Sequence, residues 1–153
     1  MFPAKKIVCP TDFSEAAREG IAQGKQLALH FGAEVVLVHV LPVLPSLPEE
    51  DPYFVLKVPE YERLLHAEAS RKLRQLAEEF SSEGVPAHGV VGHGPAAGEI
   101  VRIAEEEHAD MIVLSTHGDT GWRHFAFGSV AEKVVRHAHC PVLTVRQTGA
   151  GKA

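Results

Sequence analysis

Cysteine is scarce in this chain: its 153 residues include Cys9 and Cys140 and no others, with no CxxC or other metal-ligand spacing. Each cysteine lies in an apolar stretch beside a proline, the setting of a small buried hydrophobe, and a cytosolic disulfide is disfavoured. Basic residues are not in excess. Lys and Arg number 15 against 20 Asp and Glu, a net charge of −5, which argues against non-specific nucleic-acid binding, a mode that needs a basic face, and leaves room for a local basic pocket. No apolar run approaches the roughly 20 residues that cross a bilayer. The opening Met1-Phe2-Pro3-Ala4-Lys5-Lys6 enters a short strand without a signal-peptide core. A cytoplasmic protein that engages neither membrane nor nucleic acid is expected. The ten histidines are scattered. His137 and His139, two apart, cannot share a helix face, so they suggest no metal site.

What is present is ordinary globular material. Apolar residues make up 45% and charged residues 23%, enough for one domain with a real core, expected over residues 1–147 with a tail at 148–153. Lys5–Pro10 reads as a short buried strand. Asp12 and Glu15 have the spacing of a capping box with Asp as the cap of an alanine-rich helix that stops at Gly32. Glu34–Val40 is nearly all apolar and β-branched, as a parallel strand covered on both faces would be. From Leu41 to Pro59 five prolines predict a flexible loop. Tyr61–Phe80 is amphipathic, with Leu64, Leu65, Leu73, Leu76 and Phe80 on its buried side. A weaker strand, Val85–Val91, carries Pro86 and points to a sheet edge. Pro95 fits the first turn of a helix running to His108, with Ile100, Val101, Ile103 and Ala104 inward. Strand Met111–Leu114, a helix from Ser129 to His137 and a last strand, Pro141–Arg146, complete the alternation. Regular β-α alternation with apolar strands predicts an α/β fold: an open, doubly wound, Rossmann-like parallel sheet with helices on both faces. Ligands of such sheets sit outside the carboxyl ends of the strands where the winding reverses. With strands one and four adjacent, Asp12 and Ser115 face one crevice.

The stretch that carries chemistry is STHGDTGWRHFAFGSVAEKVV, Ser115 to Val135. Gly118 admits backbone angles closed to other residues. Gly128-Ser129-Val130 opens a helix whose first N–H groups have no internal partner and whose dipole favours an anion. A phosphate there is physically natural, although a plain glycine turn and a cap, with Ser129 and Glu132 in capping-box spacing, would read the same way. It is no P-loop, since no Gly-Lys-Ser/Thr occurs. Gly92-His93-Gly94-Pro95-Ala96-Ala97 fits G-x-G-x-x-A but follows a strand expected at an edge, so a dinucleotide site is not inferred. No G-x-S-x-G elbow is present and no acid is placed to orient a histidine, so no catalytic residue is assigned. Asp12 could hold Mg²⁺ through a nucleotide's phosphates.

Taken together, Ile7-Val8-Cys9-Pro10-Thr11-Asp12-Phe13-Ser14, Val36–Val40, and Gly118 followed by nine residues and Gly128-Ser129 resemble the ATP-binding, single-domain branch of the universal stress protein family. The resemblance runs from Lys5 to Arg146. It implies five parallel strands in the order 3-2-1-4-5. It also implies ATP, with Mg²⁺ possible, held by Pro10, Thr11, Asp12 and Val40 at one end and by Ser115, His117, Gly118, Gly128, Ser129 and Val130 at the phosphates and ribose. It further implies a homodimer through the last strand, Val142–Arg146, and a stress or energy-state responder with at most slow hydrolysis. Two positions depart from the pattern. Ser115 replaces its first glycine, and Asp119 stands where many relatives have Arg or Lys. A carboxylate there opposes a triphosphate by about 1 kcal/mol at 4 Å in water. A nucleotide-free interaction module of the same fold is the alternative, and an ATP-hydrolysing or nucleotidyl-transferring enzyme a more distant one.

Overall fold

The computed structural model describes residues 2–44, 52–116 and 128–147. Along the chain the elements are β1 (Lys6–Pro10), α1 (Glu15–Phe31), β2 (Glu34–Leu41), α2 (Pro52–Ser82), β3 (Ala87–His93), α3 (Ala96–Glu106), β4 (Met111–Ser115), α4 (Ser129–His137) and β5 (Val142–Val145). All strand pairs are parallel, and the sheet order is β3-β2-β1-β4-β5. The α/β architecture and strand order expected from the sequence are those observed.

Strand alternation divides the core into two layers. Ile7, Cys9, Val35, Leu37 and Val113 point to the face covered by α1 and α2, where Ile21, Ala28, Leu73 and Phe80 meet them. Val8, Val36, Val38, Ile112 and Leu114 point to the other face, against Ile100 and Ile103 of α3 and Ala131 and Val134 of α4. Successive strand residues are apolar because both faces are dry. Each fully buried Val, Leu or Ile contributes about 1.5–3 kcal/mol relative to exposure.

Three element readings are corrected. Residues 52–59 do not belong to a loop: α2 starts at Pro52 and contains Pro59. Proline at the first helical position forfeits no hydrogen bond, which is why the breaker can instead open the helix. Residues 45–51 lie outside the described residues. Leu64 is 63% exposed, and the buried side of α2 is Ala69, Leu73, Ala77 and Phe80, with Leu65 and Leu76 half-buried. Among the residues of α2 whose side chains are described, the buried ones begin at Ala69, so the apolar stripe loses its cover toward Leu64. In α3 the inward residues are Ala97, Ile100, Ile103 and Ala104; Pro95 is the N-cap and Val101 is half-buried.

Helix α1 lies unusually close to the sheet. A Cβ at Gly20 would sit 2.7 Å from the Ser115 nitrogen, and one at Gly24 would sit 2.3 Å from Cys9 Sγ. Both cysteines are thiols; Cys9 is buried and Cys140 half-buried. Burial alone pushes the Cys9 thiol up to about 12, so it packs as a hydrophobe. The Gly24–Cys9 contact predicts coupled substitutions. Gly24→Ala is expected to destabilise by about 1–3 kcal/mol through overpacking, despite its better helix propensity. Cys9→Ala combined with Gly24→Ala should recover most of that loss, because the new methyl then occupies the space of the sulfur. Urea denaturation of the two single variants and the double variant measures this. Strict additivity would show that the contact does not limit the approach of α1.

Candidate functional site

The centre of the sheet opens at the carboxyl ends of β1 and β4, and a proline is the reason. Thr11 N–H donates to the Val38 carbonyl at 2.8 Å, so Ile7, Cys9 and Thr11 aim their main-chain groups at β2. Lys6, Val8 and Pro10 aim theirs at β4, as the bond from Asp110 N–H to the Lys6 carbonyl (2.9 Å) shows. Pro10 has no N–H to give. The β1–β4 register accordingly covers Ile7↔Met111 and Val8↔Ile112, whereas β1–β2 continues to Pro10↔Val38. Beyond that point α1 leaves over one face of the sheet and α4 lies over the other, and a cavity of about 220 Å³ remains between them.

Pro10, Thr11 and Asp12 line this cavity from the end of β1, Val40 from β2, and Ser115 from β4; Gly128, Ser129 and Val130 line it from the start of α4. The structure therefore gathers the site residues inferred from the sequence, except His117 and Gly118, which lie outside the described residues. Asp119 lies outside them too. The cavity has further walls that the sequence reading did not single out: His39, Thr116, and Ala96 and Ile100 of α3. Ala96 and Ile100 carry the same helical apolar periodicity as any core residue. The signal for His39 was its place as a polar residue inside an otherwise apolar strand.

The turn after β1 is a connected set of local hydrogen bonds. Phe13 N–H donates to Thr11 Oγ1 at 3.0 Å. Ser14 gives both its N–H (2.9 Å) and its hydroxyl to Asp12 Oδ1. Ser14 Oγ in turn accepts from Ala17 N–H at 3.2 Å, which makes Ser14 the N-cap of α1. The expected Asp12–Glu15 capping box is thus replaced: Asp12 holds the cap instead of being it. Phe13, with φ 63°, is what displaces it, since a residue in the left-handed region inserts an extra turn before the helix. The ring of Phe13 packs on His39, centroids 4.5 Å apart, and Lys72 Nζ lies 5.1 Å from the Phe13 ring centroid. His39 Nδ1 is 2.8 Å from the Thr11 carbonyl, which can only accept, so this nitrogen carries the proton.

At α4 the cap is Gly128, which offers no side-chain hydrogen bond to the first turn. Ser129 is the first helical residue, so the expected Ser129–Glu132 box is not formed; Glu132 pairs with Arg136 at 2.7 Å. Gly128 N–H donates to the Thr116 carbonyl at 2.6 Å, which fixes the start of α4 to the end of β4. The orphan N–H groups of the first turn, with the positive end of the helix dipole, therefore front the cavity. That arrangement suits an anion. Among the described residues no three His, Cys, Asp or Glu side chains converge on a metal position.

Residues 3–146 match the family model described as the universal stress protein family. The chain belongs to that family. Universal stress protein MJ0531 of Methanocaldococcus jannaschii is 40% identical over 145 residues, covering 94% of this chain and 82% of the relative. The solved structure of MJ0577 from the same organism, also a universal stress protein, superposes with a TM-score of 0.81 at 32% identity, covering 95% of this chain and 98% of that one. The universal stress protein of Archaeoglobus fulgidus in complex with dAMP shares the fold, with a TM-score of 0.60 at 23% identity, covering 94% and 98%. Among the described residues no helix is long and apolar enough to cross a membrane.

Because Ser14 both caps α1 and anchors Asp12, Ser14→Ala should cost about 1 kcal/mol, the usual loss for a side-chain cap. Equilibrium urea unfolding checks this; an unchanged midpoint would remove the cap from the account of this turn.

Proposed function

We propose that this universal stress protein binds ATP, with Mg²⁺, in the cavity between β1 and β4, and responds to stress or energy state through the bound nucleotide. The observation that carries the reading is the bare first turn of α4, capped by a glycine and aimed into a cleft at the carboxyl end of the sheet. An anion at such a terminus gains about 0.3–1 kcal/mol when exposed, and up to about 2 kcal/mol when partly buried. The dAMP complex of the Archaeoglobus fulgidus relative supports an adenine nucleotide as the class of ligand. The apolar side of the cavity, Val40, Ala96 and Ile100, suits a base, and the α4 end suits phosphates. Asp12, exposed at the rim, can reach a ribose hydroxyl or a phosphate-bound Mg²⁺.

Binding without efficient turnover is part of the proposal. Among the described residues lining the cavity, the one histidine, His39, holds its Nδ1 proton against a main-chain carbonyl, which leaves Nε2 as its basic nitrogen. No carboxylate is bonded to it there to orient it as in a relay. A cytoplasmic homodimer through β5 belongs to the same reading, since β5 ends the sheet and a bare parallel edge invites pairing.

The test is a thermal-unfolding series with ATP·Mg²⁺, ADP, AMP and no ligand. ATP at 100 times its Kd should stabilise by about 2.7 kcal/mol. Gly128→Val should abolish the shift and keep the fold, because φ −69° and ψ 156° at Gly128 are open to any residue while the branched side chain blocks the approach to the helix terminus. Unfolding midpoints that no adenine nucleotide moves, in an intact protein, would favour the nucleotide-free interaction module. Steady turnover above about 1 s⁻¹ would instead make the protein an enzyme.

A further inference from the structure

A second, larger cavity of about 580 Å³ lies away from the nucleotide site, between α2 and β3. Strand β3 ends the sheet. Val35 N–H donates to the Pro86 carbonyl (2.8 Å) and Gly94 N–H to the Leu41 carbonyl (3.1 Å). With the register Val36↔His88 and Val38↔Val90, these bonds turn the main chain of His88, Val90 and Gly92 toward β2. The N–H and C=O groups of Ala87, Gly89 and Val91 then face outward, and these same three residues line the cavity. Natural edges are usually blunted by lysine, proline or a bulge. Ala87–His93 contains no lysine or proline, and its pairing with β2 runs without a skipped residue.

Helix α2 forms the opposite wall. A Cβ on Gly89 would fall 2.6 Å from Leu73 Cβ, so strand and helix are as close there as a glycine permits. Leu73 and Ala77 make the floor, and Arg74 and Glu78 stand on the rim. Neither forms an ion pair with any described residue, although they are four apart on one helix. The rim histidines are engaged: His88 lies against Glu34 (2.9 Å) and Glu107 (3.5 Å), and His66 Nδ1 against Ser70 Oγ (3.3 Å). Four helical residues rise about 6 Å, close to the roughly 6.6 Å spanned by two strand residues.

We propose that this groove binds an extended peptide segment of a partner protein, added as a strand to the β3 edge, with an acidic and a basic side chain two residues apart set against Arg74 and Glu78. Main-chain bonds to Ala87, Gly89 and Val91 supply the pairing, and the two rim charges select the sequence. The occupant is a peptide strand of a partner; protection of the Ala87, Gly89 and Val91 amides in the peptide-free protein that grows with protein concentration would show a second copy there instead and overturn the proposal.

The test uses three acetylated, amidated heptapeptides: Thr-Val-Glu-Val-Lys-Val-Thr, and the versions with Glu or Lys at both charged positions. Binding is followed by fluorescence anisotropy and by amide shifts in NMR spectra of the full chain. The wild type should prefer the mixed peptide by about three- to tenfold, the range that one or two exposed ion pairs give. Arg74→Glu should shift the preference to the two-lysine peptide, and Glu78→Lys to the two-glutamate peptide. Both substitutions are on exposed positions and leave the core intact. The amides of Ala87, Gly89 and Val91 should move and become protected from exchange. The proposal is overturned if all three peptides bind alike, if none binds at about 1 mM, or if the shifts fall elsewhere.

Discussion

A missing hydrogen determines where this molecule can hold a ligand. Pro10 stands at the position whose N–H would have continued the β1–β4 ladder, and it has none to give. The strands part after Ile7↔Met111 and Val8↔Ile112, where α1 and α4, which follow the neighbouring strands β1 and β4, leave to opposite faces of the sheet. Neither condition is sufficient alone. A winding reversal with a fully paired ladder would leave a shallow notch, and an early end to pairing elsewhere would be covered by the next helix. Together they leave a cleft whose walls are strand ends and one helix terminus. The close seating of α1, made possible by Gly20 against Ser115 and Gly24 against Cys9, keeps those strand ends in place from below.

The same economy operates in the turn that follows. Thr11, Ser14 and Thr116 are buried polar residues, and burying a hydroxyl without a partner costs about 1–3 kcal/mol. Among the described residues no buried side-chain donor or acceptor lacks one. Thr11 and Ser14 satisfy their own turn, and the carboxylate of Asp12 is oriented by Ser14. Phe13 holds an unfavourable φ because its ring is packed between His39 and Lys72. A residue of β2 and a residue of α2 thus help to shape a loop of β1. At the opposite end of the sheet Asp110 plays a comparable part: it accepts the N–H groups of Lys5 and Lys6, which hold its carboxyl below the usual range, and joins the start of β4 to that of β1.

The order of elements was legible because buried strands are apolar at every position and the helices repeat near 3.6 residues, two periods that differ strongly. The strand ends that meet at the cleft followed from the doubly wound pattern. What escaped was decided by backbone states and by the extent of tertiary cover. Nothing in Asp-Phe-Ser-Glu shows that Phe13 takes a left-handed conformation, and that single choice moves the cap from Asp12 to Ser14. Pro52 and Pro59 read as loop residues because proline usually ends helices, yet the one at a first position costs nothing. Leu64 belongs to a true apolar stripe, but the cover stops short of it. Ile100 has the periodicity of a core-facing helical residue, and it and Ala96 are also cavity wall, a distinction that only the third dimension makes.

Both grooves offer a ligand mainly main-chain groups. In the central cleft these are the first-turn amides of α4; at the β3 edge they are the alternate amides and carbonyls of Ala87, Gly89 and Val91. Main-chain recognition depends on where the backbone runs and only weakly on which side chain it carries. The side chains at the rims are polar or charged: Asp12 and His39 around the central cleft, Arg74 and Glu78 along the edge. A chain of this fold can therefore exchange its rim residues, and so its ligands, without disturbing the strands that hold the cleft open.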